Sequence, residues 1–160
     1  PPPLFSSRRR HTRYADRSRG LGDVYKRQVE DLIERMGRHD IYGAELVTVR
    51  NTPECVDRYV KAWRDAGIFV TAGTEHNTLD RIPVDPTCVD GIPISEASRD
   101  IFWEGVCVVA AHQHRKQQGE AGYVDEAGAL NPGFPDAETR IRYFAEMGAE
   151  LIYEATGTDR

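Results

Sequence analysis

Residues 41–72 read IYGAELVTVRNTPECVDRYVKAWRDAGIFVTA, and no other stretch of the chain restricts the fold as strongly. Residues 41–49 are apolar and β-branched, as in a strand buried on both faces. Thr52 can then cap a helix, Pro53 suits its first position, and Glu54 meets the positive end of its dipole. Val56, Tyr59, Val60 and Trp63 form one apolar stripe, and Gly67 can end the helix. Residues 68–72 (IFVTA) make a second short strand. Strand, helix and strand in that order form a βαβ unit with parallel strands and a right-handed crossover.

The flanking segments read more simply. Residues 29–36 (VEDLIERM) place Leu32, Ile33 and Met36 on one face, the tail of a helix with Gly37 as its stop. Residues 81–93 (RIPVDPTCVDGIP) are rich in proline and turn residues and make an ordered connection. Ser95 is an N-cap for a helix from about Glu96 to about Gln117, which carries Ile101, Phe102, Val106, Val109 and Ala110 at helical spacing. Asp136 opens a last helix with Ile141, Phe144 and Ala145 on one face, and GAELIYEA continues it.

The loop after the second strand, GTEHNTLD, sets a carboxylate and an imidazole side by side as Glu75 and His76. Such a pair can bind Zn²⁺, Mn²⁺ or Fe²⁺, or serve as base and acid. The plain alternative is a solvent-facing polar loop. What favours chemistry is position, because in α/β folds reacting groups gather beyond the C-terminal ends of parallel strands. Arg50 and Asn51, after the first strand, belong to the same face. Glu45 lies inside an apolar strand, where a carboxylate needs a partner or a polar cavity. His112 and His114 are about 200° apart on a helix, so they do not converge on one ion; followed by RKQQG they fit a solvated helix end, with His112 the candidate ligand of the two. Trp63, Trp103 and Tyr59 are packing residues. No phosphate-cradling G-x-x-x-x-G-K, dinucleotide fingerprint, nucleophile elbow or H-E-x-x-H occurs.

The first 28 residues stand apart. Eight of them are Lys or Arg and two are Asp or Glu, and they have no core-forming pattern. Back-translated in one frame, residues 18–28 resemble the transposon end of a tagmentation sequencing adapter, and residues 7–13 resemble its flow-cell end. Residues 1–28 are therefore read as non-native and without structure. The remainder is expected to be an internal piece of a longer protein. Subtracting the +6 of the first 28 residues from the net charge of −5 leaves −11 on residues 29–160. Such acidity does not suit a polyanion, so no nucleic-acid partner is expected. No apolar run approaches the length of a membrane span. Cys55, Cys88 and Cys107 are odd in number and widely spaced, consistent with free thiols in a reducing, cytoplasmic compartment.

From residue 41 to residue 80 the chain resembles the C-terminal part of PHP domains (polymerase and histidinol phosphatase). The resemblance rests on GAELVTVRNT, like a late strand that carries an acidic residue and ends in Asn, and on GIFVTAGTEHNT, like the closing motif of Gly, a small residue, then Asp-x-His. Glu75 takes the place of the Asp, His76 falls one position early, and Asn77 stands where the His is expected. The family's early His-x-His motifs would lie upstream of Val29.

The resemblance implies an α/β fold: the C-terminal βα units of a distorted (βα)7, TIM-like barrel over residues 29–80. Residues 81–160, longer than the usual end of such a domain, are read from their own pattern as a loop-rich helical extension of the same domain. It implies a metal-dependent phosphoesterase acting on a small phosphorylated or sugar-like substrate, with Glu75 and His76 as late metal ligands and Arg50 on the substrate anion. Glu45 and His112, from their own positions in the sequence, are the further candidate ligands, and Asn51 and Asn77 are placed with Arg50 at the substrate. Two other readings stand beside it. One is another α/β-barrel enzyme of sugar metabolism, an isomerase or aldolase using Glu75 and His76 as acid and base. The other is a catalytically degenerate barrel kept for binding.

Overall fold

In the computed structural model, residues 18–74 and 84–157 are described, with side chains from residue 28 onward. The order of elements is helix α1 (Ser18–Arg38), strand β1 (Gly43–Val47), helix α2 (Pro53–Asp65), strand β2 (Phe69–Gly73), helix α3 (Glu96–Gln117) and helix α4 (Ala137–Thr156).

Helix α1 starts at Ser18, within the segment expected to lack structure. From residue 18 to residue 28 nothing is proline, and once a helix is nucleated each further residue adds a hydrogen bond. At its other end the helix runs through Gly37, the expected stop. The chain turns instead at Asp40 (φ 52°), and the Ile41 N–H closes back on the Met36 carbonyl at 3.0 Å. A short Asp side chain tolerates this left-handed conformation better than most residues.

The βαβ unit forms as its local signals direct. The Thr52 side chain accepts from the Cys55 N–H (3.4 Å), and Pro53 opens α2. The strands pair in parallel, Gly43 opposite Phe69 through Val47 opposite Gly73. β1 is shorter than the apolar run, because Thr48–Arg50 coils into a 3-10 turn. Thr48 is buried there, its hydroxyl donating to the Thr87 carbonyl at 2.8 Å.

The barrel expectation is overturned. Among the described residues the only sheet has two strands, and the rest of the regular structure is helical. The reason lies at the outer edge of β2. The Phe69 N–H donates to Tyr42, towards β1. Backbone groups alternate sides along a strand, so the N–H and C=O of Val70 face the opposite edge. A barrel would add its next strand on that edge. Here α3 covers it: a Cβ on Gly105 would fall 2.0 Å from the Val70 oxygen. Only glycine admits this approach. A similar fit joins α3 to α4, where a Cβ on Gly148 would lie 1.8 Å from the Cys107 oxygen.

Two apolar cores result. Val56, Val60 and Trp63 of α2 pack with Ile68, Val70, Met36 and Phe102, and Val108, Ala111, Tyr123, Ile141 and Phe144 form the second. Ser95 caps α3, and the hydroxyls of Ser95 and Ser98 both donate to Asp57 Oδ1 at 2.6 Å, fixing α3 to α2. Arg64 reaches Glu104 (2.8 Å) and Glu138 (2.6 Å), tying α2, α3 and α4 together. The last helix is continuous to Thr156, capped by Asp136 on the Thr139 N–H at 2.7 Å. Among the described residues no helix is long and apolar enough to cross a membrane.

Candidate functional site

Each end of the sheet has a cavity. The one beyond the C-terminal end of β1 has a volume of about 500 Å³ and is lined by Leu46, Arg50, Asn51, Cys55, Arg58 and Tyr59, among others. Its position follows from the βαβ unit, since the chain leaves β1, makes the 3-10 turn and enters α2 at this corner. The first turn of α2 contributes Thr52 and Cys55, so the positive end of the helix dipole borders the space. Trp63 forms an inner wall, with Tyr59 packed edge-to-face on it (5.6 Å), and the buried Trp63 indole N–H has no acceptor among the described residues.

The residues singled out in the sequence divide between the two ends. Arg50 is exposed at the C-terminal cavity, as the βαβ reading placed it. Asn51 is there too, but its polar atoms have structural tasks. Its Nδ2 donates to the Val47 carbonyl (2.8 Å), its Oδ1 accepts from the Cys55 thiol (3.5 Å), and its main-chain oxygen accepts from Val89 (2.9 Å). Glu45 is exposed rather than buried in the strand. Its carboxylate lies over Gly73, where an added Cβ would be 2.5 Å from Oε1. Water therefore solvates this charge, and no buried partner is needed. Glu75, His76 and Asn77 lie outside the described residues.

His112 is on the other side of the molecule. It lines a cavity of about 310 Å³ at the N-terminal end of the strands, with Asp40, Tyr42, Gly43, Phe69 and Tyr123 among its neighbours. Its Nδ1 accepts from the Tyr123 N–H at 3.0 Å, so the neutral ring carries its proton on Nε2. A metal-bound histidine has the reverse arrangement, with its second nitrogen donating outward. Burial, and then the charge of Lys116, hold the His112 pKa below its ordinary value. The ring is thus a turned-in, neutral donor rather than part of a solvated helix end.

Among the described residues no group of three or more His, Cys, Asp or Glu converges on one point. The three thiols are all unpaired; burial, then Glu104, pushes Cys107 up to about 11, and burial, then Asp57, raises Cys88.

Sequence reasoning missed Cys55 and Arg58 at the C-terminal cavity. Their spacing from Asn51, four residues and then three more, would have put them on its side of the helix. No family model, curated protein or solved structure matches the chain.

Proposed function

We propose that the C-terminal end of the sheet holds the phosphoryl or other anionic group of a small, phosphorylated or sugar-like substrate, in a metal-dependent hydrolase of phosphoesters. One observation carries this reading: Arg50, Arg58 and the first turn of α2 border a single cavity at the end of a parallel strand. Guanidinium groups suit phosphate oxygens, and a helix N-terminus favours an anion.

The metal, Zn²⁺, Mn²⁺ or Fe²⁺, would be held by Glu75 and His76, which follow β2 in the sequence. Glu45 fits the same set, since its carboxylate already lies at the last residue of β2. His112 does not fit, because it lies at the far end with its proton on Nε2. When bound, the ion would polarise a phosphoryl oxygen and activate a water. Arg50 and Arg58 would orient the phosphoryl group, and Tyr59 and Trp63 would shelter it from solvent on one side. The free thiols support a reducing, cytoplasmic setting.

The test is a titration of the chain with inorganic phosphate at constant ionic strength, followed by amide NMR. Shifts centred on residues 50–59 that disappear in Arg58→Ala support the reading. An equal response to chloride, or shifts unchanged in Arg58→Ala, sinks it. The metal assignment is tested by metal analysis: Mn²⁺ or Zn²⁺ content should fall in Glu75→Gln and His76→Ala, and unchanged content in both removes the assignment.

A further inference from the structure

The N-terminal cavity has no part in that chemistry. Its volume, about 310 Å³, lies at the lower end of the range for small-molecule sites, about 300–1,000 Å³. The walls are apolar and come from separate segments: Phe69 of β2, Val108 and Val109 of α3, and Tyr123 and Val124 of the α3–α4 connection. They are held firmly. Val108 and Tyr123 are buried, and the Tyr123 ring meets Phe69 edge-on at 5.2 Å and Phe144 at 5.5 Å.

The polar groups are few. His112 has spent Nδ1 on the Tyr123 amide, so its remaining ring nitrogen is a donor. Asp40 is an exposed carboxylate at the same cavity, accepting from the Tyr42 hydroxyl at 3.0 Å. No Lys or Arg is among the described residues that line it; Arg140 sits over the Tyr123 ring at 5.2 Å and is not part of the wall.

We propose that this cavity binds a small neutral molecule with an apolar or aromatic body and a hydroxyl group, the body lying against Phe69, Val108 and Val124 and the hydroxyl between His112 and Asp40. A hydroxyl can accept from the imidazole N–H and donate to the carboxylate at once. An anion would meet the Asp40 carboxylate directly, whereas Lys116 and Arg140 act on His112, Tyr42 and Tyr123 from outside the described wall. An ammonium would pair with Asp40 but leave the His112 donor without an acceptor. The proposal is independent of phosphate binding at the opposite end.

The probe is 4-methylphenol, with benzoate and benzylamine as charged controls of similar size, each followed by amide NMR of the whole chain. Saturable shifts from 4-methylphenol should cluster at Gly43, Val109, His112, Tyr123 and Val124. Both controls should bind weaker, by about tenfold or more, because benzoate meets the like charge of Asp40 and benzylamine leaves the His112 N–H without an acceptor. Val109→Phe should fill the space and weaken 4-methylphenol by about tenfold, with the helical circular dichroism unchanged. Shifts centred on residues 50–59, an equal response to all three probes, or full binding by a folded Val109→Phe would overturn the proposal. Should that variant fail to fold, Asp40→Asn decides. Asn also tolerates the positive φ, and the exposed site is forgiving. Benzoate should then gain on 4-methylphenol, and an unchanged ratio overturns the proposal.

Discussion

At the C-terminal end of the sheet, every described residue lining the cavity except Leu32 comes from residues 46–63, a single run of chain. At the N-terminal end the walls come from Asp40 to Gly43, from β2, from α3 and from the α3–α4 connection. The first cavity is therefore a product of one βαβ unit, and its polar groups come from a turn and a helix start. The second exists only because α3 lies along the free edge of β2. A site built from one run of chain should survive damage to the tertiary packing better than one assembled from four.

Gly105→Leu tests that difference most severely. The clash is with the Val70 backbone, which has no rotamer to change. The variant should lose about 3 kcal/mol or more in urea unfolding, at or beyond the upper end for overpacked cores. Any folded remainder should lose 4-methylphenol binding before phosphate binding. A loss within about 0.5 kcal/mol would mean that α3 does not cover this edge.

His112→Ala comes next. It leaves the Tyr123 N–H without its acceptor beside a buried ring, which should cost about 1–3 kcal/mol. The same residue predicts a pH dependence. Its folded pKa lies below the unfolded value, so below the ordinary histidine range the unfolded chain binds the extra proton first. Stability should be full above about pH 6.5 and decline as pH falls from there towards the folded pKa. His112→Gln, which keeps an acceptor, should remove this component of the slope. An identical slope in wild type and His112→Gln would show that the ring is not held neutral by the fold.

These two residues also show what the sequence could and could not convey. Thr52, Pro53, Ser95 and Asp136 are local stop-and-start signals, and the helices they open lie where the signals put them. The parallel pair was legible from two apolar runs separated by an amphipathic helix. The number of strands was not, because whether β2 gains another neighbour depends on Gly105. In the sequence that glycine is an ordinary interruption of a helical pattern, and its meaning appears only against Val70. His112 likewise read as the end of a charged helix, since the amide that claims its Nδ1 is eleven residues away in a loop. Arg50 was legible because it follows a strand directly, whereas Arg58 required combining helical spacing with the position of the turn.

Arg58→Ala is a smaller perturbation of the fold and a sharper one of the comparison. The side chain is half-buried at the C-terminal cavity, which Tyr59 and Leu46 also line. Loss of the stem should cost about 1 kcal/mol or less. Phosphate-induced shifts should disappear, while 4-methylphenol shifts at the other end persist. Loss of both would mean that the two ends are not independent.

Glu45→Gln should have the least effect on folding. The carboxylate is exposed, and among the described residues it lies beside the backbone of Gly73. Removing its charge should change stability by no more than about 0.5 kcal/mol. The substitution nonetheless separates the roles of the two ends. If Glu45 belongs with Glu75 and His76, Glu45→Gln should lower Mn²⁺ or Zn²⁺ uptake, while uptake by His112→Gln stays at the wild-type level. The reverse pattern, with metal lost in His112→Gln and kept in Glu45→Gln, would move the metal to the N-terminal end. That outcome would require His112 to give up the Tyr123 amide, which the imidazole ¹⁵N shifts would reveal as a change of tautomer.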